Sequence, residues 1–247
     1  MAHWRLPFDD QRQRLSGVVV GALLNDPAEL RALGDAVHQP PHKAPPVAPV
    51  LEVKPRHTLA ADGAAVVLPA GAAGSDELEV GASLGIVIGR VACRVAERNA
   101  MQHVAGYLVA ADFSLPLPGQ QPHYRPSVRL KARDGLCPIG PAVVPAAAAP
   151  DADDLAVEVT IDGNVAHRHR TGPRVRGVAR LVADVSEFMT LNPGDVLLLG
   201  RGYGEQGVPR ARAGQLVQIT IAGIGTLHCR VVAEDARTDT KMPEPRA

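Results

Sequence analysis

The chain has 247 residues, enough for one large domain or two small ones, and 46% apolar with 21% charged residues is ordinary globular usage rather than that of a disordered chain. Lys+Arg and Asp+Glu balance at 26 each, and seven aromatics (one Trp, three Tyr, three Phe) are too few for a base-stacking surface, which argues against nucleic acid as a partner. Gly 24 and Pro 22 favour a turn-rich, strand-rich architecture over a helical bundle.

Residues 1–15 read as a polar tail. The apolar run from Gly17 to Leu24 is too short to cross a membrane, and with Asp9 and Asp10 ahead of it and Asn25-Asp26-Pro27 behind, it fits a first strand ending in a turn rather than a signal peptide. Five prolines between Gln39 and Pro49 exclude helix and central strand, so residues 16–49 read as a small N-terminal segment with a Pro-rich linker, followed by a main domain over 50–235. Short strands are expected at Val50 to Lys54, Ala65 to Leu68, Ser83 to Cys93, Val104 to Ala111, Leu155 to Ile161, Asp195 to Leu199, Gln215 to Ala222 and Thr226 to Val232. Asp162-Gly163 marks a hairpin, because both residues tolerate positive φ.

The apolar spacing of Val178, Leu181, Val182, Val185, Phe188 and Met189 predicts a helix, and a shorter one is expected over Glu97 to His103. Gly200-Arg201-Gly202-Tyr203-Gly204 follows a strand without opening a periodic helix, so it reads as a loop over a site rather than a dinucleotide fingerprint. Residues 236–247 form a second polar tail. The class is mainly β (α+β) with a few short helices. Cys93, Cys137 and Cys229 are odd in number and widely spaced, which suggests a reducing, cytoplasmic setting, with Cys137 buried and inert.

A series of motifs then stands out: Lys54-Pro55, Leu84-Gly85-Ile86-Val87-Ile88-Gly89-Arg90, Ala111-Asp112, Lys131, Cys137-Pro138-Ile139-Gly140-Pro141 and Phe188 to Asp195. In this order it resembles the fumarylacetoacetate hydrolase family over roughly residues 50–233. Phe113-Ser114-Leu115-Pro116, Tyr124-Arg125-Pro126 and Lys131 to Gly140 look like the N-terminal half of the branch that isomerises and decarboxylates intermediates of homoprotocatechuate (4-hydroxyphenylacetate) degradation. The resemblance implies a mixed β-sandwich roll that dimerises, and Mg²⁺ or Mn²⁺ held by a Glu-x-Glu and a later Asp, hard oxygen donors on one strand face. Aligning on Ile86 to Arg90 places Gly81 and Ser83 at the glutamate positions and leaves Asp112 alone, so no tightly bound metal is expected. The literal Glu77-Leu78-Glu79 lies four residues out of register and reads as a solvated pair.

The family's hydrolase stretch Asn-Tyr-x-x-His is also altered, with Asn25 retained but Asp26 and Glu29 at the Tyr and His positions. What remains is cationic. Lys131 matches the family's active-site lysine and is the candidate proton donor, with Asp112 as its catalytic companion. Tyr124, Arg125, Arg129, Arg133, Asn25 and Lys54 are candidate substrate contacts, and Arg129, Lys131 and Arg133 are expected on one strand face. His123, His167 and His169 carry no special spacing.

Two functions follow. One is an isomerase/decarboxylase acting on 2-oxo di- or tricarboxylates, namely 5-carboxymethyl-2-oxo-hex-3-ene-1,7-dioate and 2-hydroxyhepta-2,4-diene-1,7-dioate. The other is a weakly catalytic or non-catalytic subunit beside a metal-bearing paralogue. Either a homodimer or such a mixed assembly is expected, with no membrane partner.

Overall fold

The computed structural model describes residues 17–40, 43–70, 76–116, 128–204 and 207–234. Thirteen strands and four short α-helices are present among them. The chain opens with β1 (Val19–Leu23), α1 (Pro27–Leu33), β2 (Val50–Lys54), β3 (Leu59–Ala60), β4 (Ala65–Leu68), β5 (Glu77–Ile88) and α2 (Glu97–Ala100). It continues with β6 (Val104–Ser114), α3 (Val128–Lys131), β7 (Cys137–Pro145), β8 (Ala156–Ile161) and β9 (Asn164–Arg170). The last elements are α4 (Val178–Ser186), β10 (Val196–Leu198), β11 (Arg210–Arg212), β12 (Leu216–Ile221) and β13 (Gly225–Ala233). The mainly-β reading therefore holds, and the Asp162-Gly163 hairpin joins β8 to β9 with both turn residues at positive φ.

Two sheets form. The larger runs β2-β1-β10-β5-β6-β7-β3 with β11 added on β5, and the smaller runs β4-β13-β12-β8-β9. Residues 16–49 do not stand apart as a segment before the main domain: β1 lies inside the large sheet, antiparallel to β2 and parallel to β10, because Val19 and Val20 are apolar enough to be buried on both sides.

Alternation along the two longest strands sorts the chemistry. Leu78, Val80, Ala82, Leu84 and Ile86 of β5 join Tyr107, Val109, Ala111 and Phe113 of β6 in the main core, packed with Val217, Ile219, Leu227 and Val231 of the small sheet. The residues in between, Glu79, Gly81 and Ser83 on β5 with Asp112 and Ser114 on β6, face the other way. β5 starts six residues earlier than expected, because Glu77 and Glu79, poor strand formers taken singly, are paired by β11.

Two further expectations are corrected. α4 stops at Ser186, so Phe188 lies beyond the buried stripe and is 66% exposed. Arg129, Lys131 and Arg133 do not share a strand face, because Val128–Lys131 is a single helical turn, and Arg129 points outward while Lys131 is buried.

Candidate active site

The site is built on the face of β5 and β6 turned away from the main core. β2 carries Glu52 and Lys54 on one strand face, and the curl of the large sheet brings them across to β6, where Lys54 Nζ donates to Asp112 Oδ1 at 2.6 Å. From the other side the helical turn α3 delivers Lys131, whose Nζ donates to Asp112 Oδ2 at 2.9 Å. Glu52 closes the ring: its Oε1 lies 3.1 Å from Lys54 Nζ and its Oε2 lies 2.9 Å from Lys131 Nζ, as ion pairs without hydrogen-bond alignment. All four side chains are at most 10% exposed, so two ammoniums and two carboxylates alternate in a buried square.

Burial alone would push Asp112 upward, but Lys131 and then Lys54 hold its carboxyl well below the usual range. Burial would likewise depress Lys54, yet Asp112 leads the neighbours that raise it above an ordinary lysine. Beside them the Cys137 thiol is driven up to about 12 by burial, which keeps it protonated and unreactive as its sequence context suggests.

A second ionic unit adjoins the first. Arg201, from the glycine-rich loop after β10, contacts Glu29 through Nε and Nη2 at 3.1 Å and reaches Glu79 Oε2 through Nη1 at 3.1 Å. Glu79 also receives Ser114 Oγ at 3.3 Å and has Arg210 at 3.7 Å, while Glu77 pairs with Arg212. The Glu77/Glu79 pair is therefore not solvated as expected, because β11 lays Arg210 and Arg212 directly opposite Glu79 and Glu77. Gly81 sits opposite Asp112, and a Cβ there would meet Asp112 O at 2.8 Å and Arg201 Cβ at 3.3 Å. Ser83 Oγ is occupied in accepting the Gly200 N–H at 3.1 Å.

This geometry answers the question of a divalent ion. Both oxygens of Asp112 carry lysine hydrogen bonds, Ser83 is committed to the loop backbone, and Arg201 stands beside Gly81. The residues present do not fit Mg²⁺ or Mn²⁺, and among the described residues no group of three or more His, Cys, Asp and Glu side chains could hold a metal.

The remaining expected contacts separate. Asn25 is buried and its amide is taken up by backbone, donating to Leu199 O and Arg176 O and accepting from Arg176 N, so it positions the loop rather than facing a substrate. Arg129 is exposed, and Arg133 donates to Arg129 O and lines a surface cleft with Asp134 and Glu234 away from the lysines. Tyr124 and Arg125 lie outside the described residues. Sequence reasoning missed Glu52 and Arg201. Glu52 carried a local signal, two positions before Lys54 and hence on the same strand face, whereas the partners of Arg201 lie 122 and 172 residues away.

Asp26 caps α1 by accepting Ala28 N at 2.8 Å, and its other oxygen takes Arg174 Nη1 at 2.7 Å and Tyr203 N at 3.0 Å. Under the same loop His167 and His169 stack with centroids 5.1 Å apart, pressed by Gly202 and Gly204, and each has one buried ring nitrogen without a hydrogen bond. Burial, with Arg174 and His167 adding to it, pushes His169 down to about 3, so the folded state holds it neutral. Its contribution is present above the unfolded value near 6.5 and is lost as pH falls from there toward 3, by at most about 1.4 kcal/mol per pH unit. Urea unfolding at pH 7.5 and pH 5 is expected to show the wild type losing about 2 kcal/mol more than His169→Phe. Parallel losses in the two proteins would refute this role.

The family model for the C-terminal region of fumarylacetoacetate (FAA) hydrolase matches residues 18–232. The 4-hydroxyphenylacetate degradation bifunctional isomerase/decarboxylase of Escherichia coli is 35% identical over 239 residues, covering 94% of this chain and 52% of that protein. The chain thus spans about half the length of these curated relatives. Among solved structures, 5-carboxymethyl-2-hydroxymuconate delta-isomerase from Mycobacterium smegmatis superposes with a TM-score of 0.70 at 30% identity, covering 90% of this chain and 81% of that one. Fumarylpyruvate hydrolase from Pseudomonas aeruginosa, solved with Mn²⁺ and pyruvate, gives a TM-score of 0.70 at 25% identity, covering 88% and 90%. A match across nearly the whole described sheet framework, together with Asp112 and Lys131 meeting in one buried cluster, shows that the chain belongs to the fumarylacetoacetate hydrolase family.

Proposed function

We propose that the chain is an isomerase/decarboxylase of aromatic catabolism acting on 2-oxo di- or tricarboxylates, with side-chain cations in place of a metal. The observation that carries this reading is Lys131 Nζ held 2.9 Å from Asp112 in a buried ring that also contains Lys54. In decarboxylation of 5-carboxymethyl-2-oxo-hex-3-ene-1,7-dioate the C–CO₂ bond breaks, CO₂ departs, and its electron pair moves through the alkene to the 2-oxo oxygen. The resulting dienolate needs a positive partner and then a proton. Lys131 supplies both, and water re-protonates the amine. In 2-hydroxyhepta-2,4-diene-1,7-dioate the same group moves a proton along the dienol. Asp112 and Glu52 orient the two ammoniums. The 35% identity to the Escherichia coli isomerase/decarboxylase supports the substrate class.

One observation favours a second reading. Each cation of the ring is matched by a carboxylate, which leaves a closed, neutral cluster and suits a subunit that keeps the fold while a metal-bearing paralogue carries out the chemistry. Turnover by the purified chain, with added Mg²⁺ and with chelator, decides between them. The enzyme reading expects equal, measurable rates under both conditions. Activity that appears only on mixing with a metal-bearing paralogue overturns it, and light scattering of the chain alone and of the mixture then distinguishes a homodimer from a mixed assembly.

A further inference from the structure

Four contacts fix the glycine-rich loop beside the lysine–carboxylate ring. Arg201 N–H groups meet Glu29 and Glu79, Arg174 Nη1 donates to Arg201 O at 3.0 Å, and Tyr203 N donates to Asp26. The Arg201 side chain is only 15% exposed, and Glu29 is itself tied down by accepting Leu24 N at 3.1 Å. Burial acts against the Arg201 charge, while Glu29, Glu79 and Asp112 more than offset it. A planar guanidinium that bridges two carboxylates is a geometric answer to the requirement a metal meets elsewhere: one positive centre shared by acidic oxygens from separate elements.

We propose that the Arg201 guanidinium is a built-in replacement for a divalent cation, and that it is the group which keeps this site metal-free. The absence of a side chain at position 81 belongs to the same device, since a Cβ there would press on Arg201 Cβ at 3.3 Å and on Asp112 O at 2.8 Å. Replacing the guanidinium with a neutral group leaves Glu29 and Glu79 facing a vacated space beside Asp112. With both Asp112 oxygens held by lysines, Glu29 and Glu79 are then two unneutralised hard donors that Mn²⁺ can bridge, with water filling its remaining positions. The proposal concerns cation occupancy and stands apart from the reaction assigned above.

The test is Mn²⁺ binding without substrate, by titration calorimetry and by the loss of free-ion Mn²⁺ signal in electron paramagnetic resonance. The wild type and Arg201→Lys, which keeps a positive charge, are expected to show no saturable binding. Arg201→Ala and the larger, neutral Arg201→Gln are expected to bind one equivalent at least tenfold more tightly than the wild type, with Mn²⁺ raising their melting temperature. Two variants are used because a truncated buried arginine can cost folding, and Gln retains most of its packing. Stoichiometric Mn²⁺ on the wild type overturns the proposal, as do folded Ala and Gln variants that bind no better than wild type. Neither outcome depends on whether the chain decarboxylates, isomerises or serves as a subunit.

Discussion

Lys131→Ala is expected to lower kcat by about a hundred-fold or more, the scale of one lost acid or oxyanion donor. It is not expected to leave the fold untouched, as a lone surface lysine would. Lys131 balances Asp112 and Glu52 in a buried square, and its removal leaves two buried carboxylates with only Lys54 between them. Breaking a buried ion cluster on one side costs on the order of 3 kcal/mol. Lys131→Arg separates the two effects. The guanidinium restores the charge and most of the stability, but it does not release a proton near neutral pH, so the rate should stay at least about tenfold down. Rates are compared below both melting transitions. If Lys131→Arg regains full rate, proton donation is refuted and charge alone is at work.

Asp112→Ala should be the most destabilising single change in the site, by about 3–5 kcal/mol. The carboxylate sits between Nζ atoms at 2.6 and 2.9 Å, and without it two ammoniums share one buried cavity with Glu52 as their remaining partner. Asp112→Asn keeps the shape and one acceptor but not the charge, so it should recover only a fraction of the loss. Combining Asp112→Ala with Lys54→Met removes one of the repelling charges and should be less destabilising than the sum of the two singles, the coupling expected of groups in one network. Additive losses measured by denaturant unfolding would show that the square is not an energetic unit.

The legible parts of the molecule were those with a local signal of composition or turn chemistry. Ala65 to Leu68 and Val50 to Lys54 are short runs rich in valine and leucine that match their strands end to end, and the Asp162-Gly163 turn declares its hairpin. β5 was half hidden because Glu77, Glu79 and Gly81 are poor strand formers taken singly, and the two glutamates are paired by arginines that β11 brings from far along the chain. The segment around Lys131 read as a strand by its alternating basic residues, and only the packing of Leu130 and Lys131 inward shows the helical turn. In the site, Asp112, Lys131 and Lys54 were recognisable from motif resemblance, and the structure brings both lysine Nζ atoms within 3 Å of the Asp112 carboxylate. Arg201 was not, since its partners lie 122 and 172 residues away, and Glu52 was overlooked although it stands two positions from Lys54 on the same strand face.

The position of β1 between β2 and β10 has a consequence for how the protein is made. Asp195 Oδ1 accepts the Val18 N–H across a separation of 177 residues, and the adjoining β1–β10 pairing spans the same distance. At ribosomal speeds of about 5–20 residues per second, β10 follows β1 by roughly 9–35 s. The β1–β2 pair is complete long before, and for that interval it presents an unpaired edge bearing Val19 and Val20, a template for wrong pairing. Such a long-range closure is a slow folding step. β1 therefore completes its native pairing only after β10 has emerged, and this interval is where a holdase chaperone or a lower expression temperature should raise the yield of folded protein.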